Sequence, residues 1–170
     1  MKIVKFFLRV LVLAIVVFLT TGLLVKETTY QMSVSIDKPL DEVFAAFNDT
    51  SQLKTWMPEI QSIETLEYRL GIVGNKYKLL IVNESDTIEM NEKILAYIPN
   101  DKVTLYFEGD NMLKTEDYNF SERNGVTTIT KNVVCNSDSY LMQCMFPYFK
   151  GVFLDMDQQH LNNFKVYIEK

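Results

Sequence analysis

The sequence predicts an α+β domain: one strand, two short helices, six antiparallel strands and a long final helix, carried behind a single apolar N-terminal segment. Three observations lead there. Seven stretches between Thr28 and Val134 read as extended chain separated by turn residues. After Ser139 the apolar residues change to three- and four-residue spacing. Val10 to Val25 carries no charge, and no comparable run follows it.

The apolar segment comes first. Spanning a hydrocarbon core about 30 Å thick takes roughly 20 helical residues at 1.5 Å each. Val10 to Val25 is short of that, and the stretch from Ile3 supplies the rest if Lys5 and Arg9 extend their charged ends toward the headgroups. Lys2, Lys5 and Arg9 lie on the N-terminal side, and Lys26 is followed at once by Glu27. The positive-inside rule therefore puts the N-terminus in the cytoplasm and the remainder outside it. A cleaved signal peptide is the alternative, with Val10 to Leu19 as its apolar core. It lacks a good processing site, since Thr20-Thr21-Gly22 is the one small-residue run and no Ala-x-Ala follows. The expectation is a retained anchor over residues 1–26 and a single domain over 27–170; the alternative is a secreted domain.

About 144 residues suit one core. With 48% hydrophobic residues and a formal net charge of −5, a packed domain is expected and a nucleic-acid surface is not, because the lysines are scattered among acids. Cys135 and Cys144 are too few for a disulfide framework and read as small buried side chains, with pairing left open. The domain is expected to be monomeric.

Thr28 to Ile36 alternates Tyr30, Met32, Val34 and Ile36 with polar residues, as a half-buried strand does. Pro39, then Asp41 and Glu42, then Val43, Phe44 and Phe47 spell a short helix to about Asn48. Asp49-Thr50-Ser51 caps a second helical turn that ends near Trp56, before Pro58. Six strands follow: Ile60 to Leu70, Tyr77 to Val82, Thr87 to Tyr97, Lys102 to Glu108, Leu113 to Phe120 and Val126 to Val134. Gly71 and Gly74, Asn83 to Asp86, Pro99 to Asp101, Gly109 to Asn111 and Arg123 to Gly125 separate them, and such short links join antiparallel neighbours. Asn136 to Ser139 offers an N-cap cluster. The final helix then carries Met142, Met145, Phe146, Phe149, Val152, Phe153, Met156, His160, Phe164 and Tyr167, with a kink or break expected at Pro147 or Gly151.

This order resembles the helix-grip fold of the START-like, or Bet v 1-like, superfamily, and within it the SRPBCC and polyketide cyclase/dehydrase members. The resemblance runs from about Tyr30 to the C-terminus. It rests on Val34 to Pro39 before Asp41-Glu42-Val43-Phe44, Asn48-Asp49 with Trp56 and Pro58, the turn Gly71 to Gly74, Pro99 before Val103, Phe120 before Gly125-Val126-Thr127, and Leu161 with Lys165. It implies a curved sheet gripping the last helix around an apolar cavity that in relatives holds lipids, sterols or polyketides.

Few catalytic constellations are present. His160 is the one histidine, so a His-rich metal site is excluded, and no metal or cofactor is expected. Asp157 and His160 at i, i+3 read as a solvated pair or a core-edge histidine. There is no GxSxG, phosphate-cradling glycine loop or CxxC. The resemblance implies polar side chains aimed into the cavity, with Tyr77, Glu92, Tyr106 and Tyr118 as candidates. Met90, Met145, Phe149 and Phe153 either line an apolar cavity wall or fill a packed core, and Phe149 and Phe153 are both expected to face the sheet. Trp56 either closes the cavity or packs the short helices. The resulting expectation is a membrane-tethered module for a small hydrophobic ligand, lipid-like or polyketide-like. The alternatives are a cyclase/dehydrase-like enzyme with Glu92 or a tyrosine as acid or base, and an interaction or stress-response protein without a ligand.

Overall fold

The computed structural model describes residues 2–82 and 86–170. Helix α1 spans Lys2–Leu24, and strand β1 follows at Thr28–Ile36. Next come α2 (Leu40–Phe47), a 3-10 turn (Thr50–Gln52) and α3 (Leu53–Trp56). Six strands then lead to the last helix: β2 (Ile60–Glu67), β3 (Lys76–Val82), β4 (Thr87–Ile98), β5 (Lys102–Gly109), β6 (Met112–Arg123), β7 (Val126–Asn136) and α4 (Tyr140–Ile168). The sheet is antiparallel in the order β1-β7-β6-β5-β4-β3-β2. The chain thus meanders from β2 to β7 and sets β1 against β7 at one edge. The expected architecture is present, with strand ends moved by up to three residues. Part of the expected turn Asn83 to Asp86 lies outside the described residues.

Local chemistry accounts for the joins. The β6–β7 turn holds Asn124 and Gly125 at φ 54° and 78°, and the β5–β6 turn holds Asp110 and Asn111 at 47° and 60°. Positive φ at both central positions is what a two-residue hairpin requires, and Asn, Asp and Gly tolerate it. Asp49 accepts a hydrogen bond from the Ser51 backbone N–H and so caps the 3-10 turn, as expected.

The core is built on alternation. Tyr30, Met32, Val34 and Ile36 of β1 are buried, as are Ile129, Val133 and Cys135 of β7. Against this face α4 sets Phe146, Leu161 and Phe164. Phe47 is central to an aromatic cluster, with ring centroids 4.8 Å from Tyr118, 5.2 Å from Phe120, 5.6 Å from Phe164 and 5.7 Å from Trp56. Spacings of this order suit edge and tilted aromatic pairs.

Two features of α4 position the site. It is one uninterrupted helix with Pro147 inside it, so the alternative of two separate helices is not what forms. Proline withholds one backbone donor from the Gln143 carbonyl, and the helix continues because its other turns are fixed by packing on the sheet. In addition α4 covers the free edge of β1, where Gln158 Nε2 donates to the Ser33 carbonyl (3.3 Å) and Lys165 Nζ to the Ser35 carbonyl (2.7 Å). These donors satisfy acceptors that an edge strand would otherwise leave open.

Candidate ligand-binding site

Register defines the inner face of the sheet as rows of side chains running across the strands. One row is Cys135, Lys114, Phe107, Glu92 and Tyr77. The next is Tyr30, Val133, Glu116, Leu105 and Ile94. The third is Met32, Lys131, Tyr118, Val103 and Tyr97. Burial falls along the rows. In the first, Cys135 and Lys114 are buried and Phe107, Glu92 and Tyr77 are half-buried; in the second, cover is lost after Glu116. Helix α4 therefore shields β1, β7 and β6 and leaves the inner face of β3, β4 and β5 partly open.

The covered end of the rows holds four charges. Lys131 Nζ lies 2.8 Å from Glu116 Oε1 and 2.9 Å from Asp157 Oδ1, and Lys114 Nζ lies 2.9 Å from Asp157 Oδ2 and also pairs with Glu116. Tyr118 donates its hydroxyl to Glu116 Oε2 (2.6 Å), and Tyr30 donates to Asp157 Oδ2 (2.8 Å). Two amines and two carboxylates are neutral as a set, the form in which buried charges are tolerated. Sheet and helix both contribute: Lys114 and Glu116 from β6, Lys131 from β7 and Asp157 from α4.

The tetrad sets the protonation of its members. Burial disfavours the charged Lys114 amine, but Glu116 and Asp157 outweigh it and its pKa is raised. Burial likewise favours neutral Glu116, but Lys114 and Lys131 outweigh it and hold this carboxyl well below its ordinary range. Burial first, and Asp157 second, raise the Tyr30 phenol; burial and Glu116 do the same for Tyr118. Glu92 has no such amine. Burial, with the charge of Glu116 added, pushes its pKa up to about 7, so near neutral pH this carboxyl can give or take a proton, as a general acid or base must.

The residues expected from the sequence divide by face. Tyr77, Met90, Glu92 and Tyr118 lie in the inward phase of their strands. Tyr106 pairs with Lys93 and Thr115 and belongs to the opposite face, because the inward residues of β5 are Val103, Leu105 and Phe107. Phe153 packs on the core, Met145 is half-buried and Phe149 is 45% exposed. The expectation that Phe149 faces the sheet with Phe153 is thus corrected. Phe146, Phe153, Asp157, Leu161 and Phe164 set the core direction of α4, and at about 100° per residue Phe149 points roughly 60° away from Phe146 and Phe164. Trp56 is buried between Phe47 and Phe164.

Asp157 and His160 are not a solvated pair. Asp157 is buried in the tetrad, and half-buried His160 has Nδ1 4.0 Å from Asp157 Oδ1 while Nε2 contacts Glu59 Oε1. Burial raises the Glu59 pKa, but the contact with His160 and a backbone hydrogen bond together outweigh it, and the pKa is lowered. No cluster of potential metal ligands forms among the described residues. The tetrad itself was not anticipated, although Lys114, Glu116 and Lys131 share the alternation phase of Tyr118, Phe120, Ile129 and Val133. A lysine in the apolar phase of a strand was the available signal.

Solved structures share this arrangement. Ara h 8.0201 superposes with a TM-score of 0.65 at 17% identity, over 84% of this chain and 97% of the other. The Zhui aromatase/cyclase from a Streptomyces species gives 0.69 at 10% identity, over 84% and 94%. Major latex-like protein 151 from Panax ginseng gives 0.66 at 13% identity, over 85% and 99%. The chain has the helix-grip fold of the START-like, or Bet v 1-like, superfamily. At these identities the likeness concerns fold. No protein-family model and no curated protein matches the chain.

Proposed function

We propose that this helix-grip protein is a membrane-tethered module that holds a small hydrophobic ligand bearing one polar group, between the inner sheet face and α4. The carrying observation is the loss of cover along the side-chain rows. Tyr77, Ile94, Leu105 and Phe107 offer half-buried apolar surface; Glu92 lies within it, between Phe107 and Tyr77, and the tetrad bounds it on the β6 side, so both can meet a polar group. A concave apolar wall with a few convergent polar atoms is the usual form of a small-molecule site. The fold shared with the Zhui aromatase/cyclase supports a ligand of ring-forming chemistry.

The tether rests on α1, a 23-residue helix with a mean hydropathy of 2.6 over its most apolar window and no part of that window buried. Lys2, Lys5 and Arg9 favour a cytoplasmic N-terminus with the domain outside. Holding the domain at the bilayer raises its encounter rate with membrane-dissolved molecules. The test is native mass spectrometry of the full chain in mild detergent, with extraction of whatever it retains and titration with an apolar fluorescent probe. A retained or exchangeable small molecule is expected; an empty protein that also ignores the probe overturns the proposal. Sequencing the membrane-bound form should find Met1 to Val25 attached, whereas a mature start just after Gly22 would replace tethering by secretion.

The near-neutral pKa of Glu92 favours a second reading, acid–base catalysis in the same groove. Conversion of the extracted ligand by the wild type and not by Glu92→Gln, with ligand retention unchanged, would select it.

A further inference from the structure

Helix α4 has two apolar faces. One packs on the sheet through Phe146, Phe153, Leu161 and Phe164. The other consists of Leu141, Met145, Tyr148, Phe149, Val152 and Met156, at i, i+4, i+7, i+8, i+11 and i+15, a stripe about 100° wide at helical spacing. Met145 is half-buried, and the remaining five are exposed. Residues 140–149 carry no charge. Lys150 and Asp155 lie outside the stripe, and beyond Met156 the exposed face carries Gln159 and Asn162, with Val166 as a further exposed apolar residue.

The stripe adjoins α1. Gly22 is buried against Cys144 and Tyr140, and the Tyr140 hydroxyl donates to the Leu19 carbonyl. Tyr148 stacks on Phe18 with centroids 6.0 Å apart, and its hydroxyl lies 2.8 Å from Thr21 Oγ1. Phe18 and Thr21 are six and three residues from the end of α1, hence about 9 and 4.5 Å inside it along the axis. If α1 crosses a bilayer, Tyr148 sits at the depth of its last two turns, where hydrocarbon meets headgroups. Tyrosine is favoured at that level, and so are amphipathic helices lying along the boundary.

We infer that the first half of α4 is a second membrane-contacting element, its stripe of Leu141, Tyr148, Phe149, Val152 and Met156 seated in the lipid boundary beside α1. The inference rests on the tethered reading of α1. It makes α4 a wall shared by the groove and the bilayer, with Phe153 toward the core and Val152 toward lipid.

The test reconstitutes the full chain into phosphatidylcholine vesicles containing lipids brominated on the upper acyl chain, which quench nearby tryptophan. Phe149→Trp, Val152→Trp, Leu13→Trp in α1 and Ile98→Trp at the far end of β4 are each read as the difference from the wild type, whose sole tryptophan is buried Trp56. All four substituted sites are exposed, so the fold should tolerate them. Strong quenching of Leu13→Trp, Phe149→Trp and Val152→Trp, with none for Ile98→Trp, is the expected pattern. Quenching of Leu13→Trp alone overturns the inference and leaves the tether standing. Quenching of none overturns both. Blue-shifted but unquenched emission from Phe149→Trp that depends on protein density in the vesicle would put a second copy on the stripe, which also overturns it.

Discussion

Replacing Lys131 by methionine should be among the most damaging single changes in the domain. The Nζ is 1% exposed at the side chain and bridges Glu116 at 2.8 Å and Asp157 at 2.9 Å. In Lys131→Met the methionine fills much of the space, but two buried carboxylates then share one amine, Lys114. Removing one partner of a buried ion pair costs about 3–5 kcal/mol, from a total stability on the order of 5–15 kcal/mol. The loss should depend on pH. In the wild type Glu116 is held below its ordinary pKa, so its contribution is fully present above the unfolded carboxylate range near 4.3 and is lost only below that range, as pH falls toward and through the lower folded-state value. In the variant one acid is left without an amine, its pKa rises, and stability falls as pH increases through and above that range. The gap between the two proteins is therefore widest at neutral pH and narrows toward about pH 4.5. Urea unfolding of the full chain in mild detergent, followed by Trp56 fluorescence at both pH values, measures it. A loss below about 1 kcal/mol at pH 7, within the range of an exposed pair, would refute the claim that these charges depend on one another in a buried site.

Three other outcomes follow from the same geometry. Phe146→Ala, at 4% exposure, should cost about 3–5 kcal/mol in thermal melts, whereas Phe149→Ala, at 45%, should cost less than about 1 kcal/mol; equal losses would contradict the orientation of α4. Because the pKa of Glu92 is raised to about 7, its folded form holds a proton that the unfolded chain releases near pH 4.3, so stability should decline between about pH 4.5 and 7. Glu92→Gln should flatten that decline, and an unchanged pH profile would count against the shift. A Cβ on Gly22 would stand 2.5 Å from Cys144 Sγ, so Gly22→Leu should pry α1 from α4 and expose Cys144 to a thiol reagent that reacts slowly with the wild type; equal labelling rates would mean the two helices do not pack.

The elements were legible where local chemistry decides them. Asn124-Gly125 and Asp110-Asn111 are hairpin turns because of the φ values those residues accept, and Tyr30 to Ile36 alternates because one face of β1 is buried. What was not legible depends on contacts distant in sequence. Phe149 and Phe153 are four apart and share a face in general terms, but which part of α4 meets the sheet is set by Asp157, whose partners Lys114 and Lys131 lie on other elements. Tyr106 was assigned inward by residue type, and a one-position parity on β5 places it outward. Lys114, Glu116 and Lys131 sat in the apolar phase in plain view. Their shared partner on α4, Asp157, is what the strand pattern alone does not supply.

The tetrad also bears on why α4 has two apolar faces. Buried ion pairs are poor sources of net stability, since well-packed apolar residues of similar volume often do as well or better. Their advantage is directional. A helix with apolar stripes on both the Phe153 and the Val152 sides could set either one against the sheet at little hydrophobic cost. Asp157 removes that freedom: with Lys114, Lys131 and the Tyr30 hydroxyl holding its two oxygens, any rotation of α4 strands a buried carboxylate and two amines. The neutral cluster thus fixes which stripe meets the sheet and leaves the other exposed.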